Sequence, residues 1–474
     1  MVKVKKRDGR IVDFDASRII DAIRKSMSET INGIDISLAV DIANSVYETI
    51  KQSDDIASVE TIQDMIEDEL MLSNRKDVAK NYILYRNNRN ISRKKTSGYK
   101  LLDDDFISKY KHTPSNMQPL GEFVYYRTYS RYLPDEKRRE YWWETVRRAV
   151  EYNCSLVPTS KDEAQRLFDN MFNLRQFLSG RTIWVGGTKV SSMYPMSNFN
   201  CSFETIVDFE SFVDLFYLLM LGSGVGVRIL KDDVLKLPAV RTTHDIIHKD
   251  YSPLAMEDRA ENTSLIFTGA VAKIIIGDSK NGWVDALKYY LSLITEQQYS
   301  MIKTIIFNYD SVRPSGEKLK TFGGTASGHE ALKDVFTKID KVIKRKTTDT
   351  GKIKLKPIDC LDICNIIGEG VVVGGVRRTA EIALFDSDDE ECINAKGELY
   401  KEVEGQWIVD NDIVHRSMSN NSIYYTEKPT REKLHWQIEK MRYSGEPAFI
   451  NEIAGAKRRD NFNGVNPYRY EVRI

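Results

Sequence analysis

The feature that most constrains this chain is an alternation of short apolar runs with helical patterns, sustained over most of its length. TIWVGG, FNCSFETI, VGVRIL, KTIIFNYD, GVVVGG, TAEIALF, NSIYY and AFINE read as strands, and FESFVDLFYLLMLGSG between two of them reads as a helix. The pattern predicts an α/β barrel or a layered α/β domain, and either gathers a central site. With 474 residues the chain exceeds what one hydrophobic core usually supports, so two or more domains are expected.

Residues 1–90 read as a separate unit. VKVKKRDG turns at Asp8-Gly9 into RIVDF, a hairpin signal. Asp15 or Ser17 can cap SRIIDAIRKSM, and apolar positions recur at helical spacing through ISLAVDIANSVYETI, SVETIQDMIEDELM and KDVAKNYILYRNNRN. The polar stretch NISRKKTSGYKLLDDD is the linker candidate, with a boundary near residue 95.

Lys+Arg and Asp+Glu both number 69, a formal net charge of zero that removes any bulk electrostatic case for nucleic-acid or membrane binding. The basic amino terminus lacks a signal-peptide core, and no run of 18 apolar residues occurs, so a cytoplasmic location is expected. The five cysteines are too few and too scattered for a secreted disulfide framework. Cys360 and Cys364 share one face if PIDCLDICNIIGEG is helical; with no second Cys or His pair at ligand spacing they are assigned to the core, and no metal site is expected. The acidic FDSDDEE at 385–391 reads as a solvated loop.

Three groups of residues could carry chemistry. Lys6, Arg7, Arg10 and Arg18 lie on or beside the amino-terminal hairpin; basic side chains near a helix amino terminus can hold a triphosphate, and a solvated basic hairpin is the plainer alternative. Cys201, in SNFNCSFETI, is either a buried strand residue or a reactive thiol. TFGGTASG and VVVGGVRRTAEIAL are glycine-rich: they are simple turns, or they bring backbone amides, hydroxyls and Arg377 and Arg378 close to phosphate or ribose.

Taken together these motifs resemble known families. VKKRDGRIVDFDASRIIDAIRKS followed by YILYRNNR resembles the ATP-cone, which implies an ATP or dATP site on Lys6, Arg7 and Arg18. LSGRTIWVGG, NCSF, RPSGEKLKTFGGTASG, VVVGGVRRTAEIALFD, HRSMSNNSIYY and SGEPAFIN occur in the order found in adenosylcobalamin-dependent ribonucleoside-triphosphate reductases. That resemblance implies an ATP-cone over 1–92, a linker over 93–105, and from 106 onward the first part of a ten-stranded α/β barrel, with an effector-binding insertion at about 229–310. It implies that Cys201 is one of two thiols that reduce the substrate and end as a disulfide. It also implies that Asp278, Lys280, Gly323, Gly324, Thr325, Ser327, Gly374, Gly375, Arg377 and Arg378 belong to deoxynucleotide-effector and substrate loops. Adenosylcobalamin, ribonucleoside triphosphates and thioredoxin are the implied cofactor, substrates and reductant.

The family carries Asn-Pro-Cys with a Glu two residues after the Cys. Here Asn466 and Pro467 match, whereas Tyr468 and Tyr470 stand at the cysteine and glutamate positions. Tyr cannot replace a cysteine that abstracts a carbon-bound hydrogen, and Tyr470 brings no carboxylate. The expectation is an interrupted reductase sequence, inactive and poorly soluble unless its carboxy-terminal half, with the cobalamin-binding region, is supplied. The competing expectation is a non-catalytic nucleotide-binding regulator.

Overall fold

The computed structural model describes residues 3–5, 11–28, 30, 33–52, 56–83, 86, 101–133, 136–317, 325–345, 348–373, 380–397 and 399–467. Two compact units are present, Met1–Phe177 and Leu178–Ile474.

In the first unit, strands β1 (Lys3–Lys5) and β2 (Ile11–Asp13) form an antiparallel pair, and β3 (Ala57–Ser58) adds to β1 in parallel. Helices Ala16–Ser28, Ile36–Lys51 and Val59–Leu72 follow the predicted periodicity. They bury Ile23, Met27, Val46, Ile66 and Leu70 in a core of their own. Asp15 rather than Ser17 caps the first helix: its carboxylate accepts from the Ser17 amide at 3.1 Å and the Ser17 hydroxyl at 2.5 Å. Asp35 and Ser58 cap the next two helices in the same way, through Leu38 N and Thr61 N. The proposed linker, 93–105, lies partly outside the described residues. Beyond it, β4 (Tyr132–Leu133) and β5 (Arg138–Arg139) pair, helix Lys161–Phe172 packs on Tyr110 through Phe168 and Phe172, and helix Trp142–Ser155 joins it through the Trp142 indole, which donates to Phe172 O.

The second unit bears out the α/β expectation. Strands β6 (Cys201–Thr205) and β7 (Gly224–Arg228) flank helix Glu210–Met220. The chain continues through β8 (Val240–Arg241), β9 (Asp245–His248), β10 (Ser264–Thr268), β11 (Val271–Ile275), β12 (Thr304–Asn308) and β13 (Lys352–Ile353). It ends with β14 (Glu381–Asp386), the hairpin β15 (Tyr400–Val403) and β16 (Gln406–Val409), β17 (Ser419–Tyr425) and β18 (Ala448–Asn451). The main sheet has the order β18-β17-β14-β7-β6 and is parallel throughout; a smaller one runs β10-β11-β12-β9. No helix among the described residues is long and apolar enough to cross a membrane.

Two strand expectations fail. TIWVGG is helical over Gly180–Val185, started by Ser179, whose hydroxyl accepts from Thr182 N at 3.1 Å. GVVVGG begins inside helix Pro357–Val373, which is buried nearly all round, so its apolar run carries no strand periodicity. That helix places Cys360 and Cys364 in the core, where burial pushes both thiols up.

The two faces of the main sheet are packed differently. Val225, Val227, Ala383, Phe385, Ile423 and Tyr425 point into the large core under the helices. The alternate residues Phe203, Ile382, Leu384 and Tyr424 point the other way and meet Phe462 and Val465. The segment around Val465 lies so close that a Cβ on Gly226 would stand 2.0 Å from the Val465 carbonyl oxygen. Arg228 ties the same segment down from below, bonding Asn463 Oδ1 at 3.1 Å while Asp233 holds its Nε at 2.8 Å.

On the helix side, fully buried Asp362 organises the approach to β17. It accepts from His415 Nε2 at 2.9 Å and from Arg416 Nε and a terminal guanidinium nitrogen at 2.6 and 3.0 Å, and Arg345 also reaches it. Burial pushes its carboxyl up, but the bonds from His415 and Arg416 outweigh that and hold it well below the usual carboxylate range.

Removing one partner of a buried ionic cluster costs about 3–5 kcal/mol, so Asp362→Asn is expected to lower unfolding free energy by that order in urea titrations. Because the folded carboxyl is depressed, its contribution is present above about pH 4 and is lost as pH falls; the variant should lose that part of the pH dependence. Gly226→Ala is expected to raise amide exchange at 462–467 by roughly tenfold or more relative to β14. Unchanged exchange there would show that the segment does not rest on Gly226.

Candidate functional site

Cys201 opens β6 and pairs in register with Gly224 of β7. Strand alternation places it on the same face as Phe203, the face that receives Phe462 and Val465. Asn466 directly follows Val465, whose carbonyl is pressed against Gly226. Cys201 and Asn466, more than 260 positions apart in sequence, are therefore brought to one side of one sheet. Cys201 is half-buried, whereas Cys154, Cys360, Cys364 and Cys392 are buried. It is thus the cysteine among the five that a small molecule on this face could reach.

Asp278 and Lys280 sit at the start of helix Lys280–Thr295, with Ser279 as its cap. They do not act as a pair. Asp278 is engaged by Arg313, whose Nε lies 2.9 and 3.1 Å from its two oxygens and whose backbone amide also donates at 3.1 Å. Lys280 turns the other way, with Nζ 5.8 Å from the centre of the Tyr194 ring. Burial and nearby Arg181 pull its amine down to about 7. Arg181 itself bonds the carbonyls of Leu221 and Gly222, which end the helix following β6.

Of the glycine-rich runs, Thr325 and Ser327 are described. They lie in a segment that folds back on 316–317, with Ala326 N donating to Glu317 O at 2.7 Å and Gly316 N to Ala326 O at 2.9 Å. Gly328 takes a positive φ of 81° in this turn. Gly323, Gly324, Gly374, Gly375, Arg377 and Arg378 lie outside the described residues, as do Lys6, Arg7, Tyr468 and Tyr470. Arg18 is described: it pairs with Asp15 at 3.2 Å and lines a cavity of about 390 Å³ with Val4, Val12, Phe14 and Ile62.

Sequence reasoning missed Arg228, Gly226, Arg181 and Arg313. Each acts through a partner distant in the chain, such as Asn463 for Arg228, and no local pattern marks it.

Three family models match the chain: the ATP cone domain over residues 2–91, the ribonucleotide reductase alpha domain over 102–188, and the insertion domain of B12-dependent ribonucleotide reductase over 254–343. The adenosylcobalamin-dependent ribonucleoside-triphosphate reductase of Lactobacillus helveticus is 32% identical over 369 residues, 68% of this chain and 48% of the relative. The enzyme of the same description from Lactobacillus leichmannii is 29% identical over 399 residues, 74% of this chain and 51% of the relative. A crystal structure of a B12-dependent, class II ribonucleotide reductase superposes with a TM-score of 0.61 at 26% identity, covering 74% of this chain and 52% of that one. The chain spans about half the length of the curated relatives it matches. With its ATP cone, insertion domain and Cys201-bearing parallel sheet, the chain belongs to the adenosylcobalamin-dependent, class II ribonucleotide reductase family.

Proposed function

We propose that this chain contributes the reducing thiol and the nucleotide-sensing elements of an enzyme that converts ribonucleoside triphosphates to deoxyribonucleoside triphosphates. The observation that carries the reading is the placement of half-buried Cys201 on the sheet face that also receives Val465, the residue before Asn466. Loss of the 2′-hydroxyl as water needs two electrons and two protons, and two thiols provide both: the C2′–OH bond is replaced by C2′–H, and the thiols end as a disulfide. Cys201 is one of the pair. The other is none of the remaining four cysteines, each of which is buried. Thioredoxin, a dithiol protein, regenerates the thiols. Asn466 is a polar group positioned to orient the ribose.

Adenosylcobalamin supplies the radical in this family. Neither the cavity beside Arg18 nor the one between Lys111 and Trp143, of about 390 and 400 Å³, has room for a corrin with its nucleotide tail. Its binding region is assigned outside the described residues.

In the amino-terminal unit, ATP or dATP occupies the cavity beside Arg18, with Lys6 and Arg7 on its phosphates. Lys280, at the start of helix Lys280–Thr295 and beside Arg181, is assigned to an effector phosphate. Asp278 acts by fixing Arg313.

In the assembled enzyme, Cys201→Ser is expected to cut deoxynucleotide formation by roughly a thousandfold or more, the scale on which loss of an obligatory reacting group acts, with nucleotide binding retained. Turnover with a dithiol at near wild-type rate would refute the assignment. Arg18→Ala is expected to weaken ATP binding to the full chain by about tenfold, the loss of one charge-assisted contact, read by equilibrium dialysis.

A further inference from the structure

A second cavity, of about 400 Å³, lies wholly within the amino-terminal unit and is lined by side chains between Lys111 and Trp143. Its floor is Tyr125 and Trp142, packed edge to face with ring centroids 5.2 Å apart. Both have their polar ends satisfied within the protein. The Tyr125 hydroxyl donates to Glu140 O at 2.7 Å, and the Trp142 indole donates to Phe172 O at 3.0 Å. Only ring surface is left for the cavity. Tyr126, Tyr141 and Trp143 supply further aromatic lining.

The charged groups of the lining select among ligands for such a slot. Lys111 Nζ stands 5.6 Å from the Trp143 ring centre, and the guanidinium of Arg138, which is outside the lining, stands 4.4 Å from that of Tyr141. Two aromatic surfaces are therefore already covered by cations, which argues against a quaternary-ammonium ligand. Neither the Lys111 ammonium nor the Glu122 carboxylate, both of which line the cavity, has an ion-pair partner among the described residues. An aromatic side chain of a docking peptide would leave both charges unanswered. A ligand that combines a flat ring, an anion and an N–H donor answers all three features, and the volume falls within the usual range of small-molecule sites.

We propose that this cavity is a nucleotide site separate from the cone and from the Cys201 face. The base lies between Tyr126 and the faces of Tyr141 and Trp143 that Arg138 and Lys111 leave open, its exocyclic amine donates to Glu122, and a phosphate meets Lys111. The ligand is thus an adenine, guanine or cytosine nucleotide. Aromatic stacking provides affinity with little sequence discrimination, and the two charges provide selectivity.

The site is tested by photolabelling the full chain with 8-azidoadenosine 5′-monophosphate and mapping the modified peptides by mass. Saturable labelling within 111–143, competed by adenosine monophosphate and reduced about tenfold or more by Lys111→Ala, is expected, with an unchanged melting temperature because Lys111 is exposed. Trp143→Leu is expected to abolish it, whereas Arg18→Ala in the cone leaves it unchanged. Absence of label in 111–143 at millimolar nucleotide, label that survives both Lys111→Ala and Trp143→Leu, or competition by an aromatic peptide but not by the nucleotide would each overturn the proposal. Because the readout is binding rather than turnover, its failure leaves the Cys201 assignment standing, and the reverse holds too.

Discussion

The constraint on which the site depends is the approach of a backbone carbonyl to a strand. The Val465 oxygen occupies the space a side chain at position 226 would take, and the Phe203 ring closes in from the neighbouring strand. Only glycine at 226 allows it. The same face carries Cys201, and a shift of one residue in β6 would turn Cys201 toward the helices and bury it. Gly464 repeats the device: a Cβ there would stand 2.3 Å from the Phe203 ring. Two glycines and one aromatic ring thus seat the segment around Val465 on the sheet face that carries Cys201.

That sheet face is rigid because the sheet's other side is fully packed. Helix Pro357–Val373 lies against β14 so closely that a Cβ at Gly368 would meet a Glu381 carboxyl oxygen at 2.0 Å. Burial pushes the Glu381 carboxyl well up, and neither oxygen has a hydrogen-bond partner among the described residues. One turn before Gly368, the same helix carries Cys364, and before that Asp362, whose ion cluster anchors Arg416 and His415 ahead of β17. A single helix therefore sets the position of two adjacent strands, β14 and β17, through a steric fit at one end and a buried charge at the other.

Much of this was legible in the sequence, for identifiable reasons. The helices of the amino-terminal unit and the strands at NCSF, VGVR, TIIFN, EIALF, SIYY and AFIN show clear periodicity, bounded by capping or turn residues. The strand that Cys201 opens was legible, but its local context left it a buried strand residue or a reactive thiol, and only the ordered motifs around it favoured the second. TIWVGG misled because β-branched residues in a six-residue helix look like a strand when Ser179, the cap, is not given its weight. Asp278 and Lys280 are neighbours in sequence but project to different partners, Arg313 and Tyr194, because they straddle a helix start. The Arg228–Asn463 bond joins residues 235 apart and has no local trace.

The most direct test of the account is thiol accessibility in the native chain, with alkylation by iodoacetamide followed residue by residue by mass spectrometry. Cys201 should react first while the four buried cysteines stay protected, and a ribonucleoside triphosphate should slow its reaction. A protected Cys201, or one whose alkylation rate ignores the nucleotide, would contradict the placement of this thiol on a substrate-facing surface.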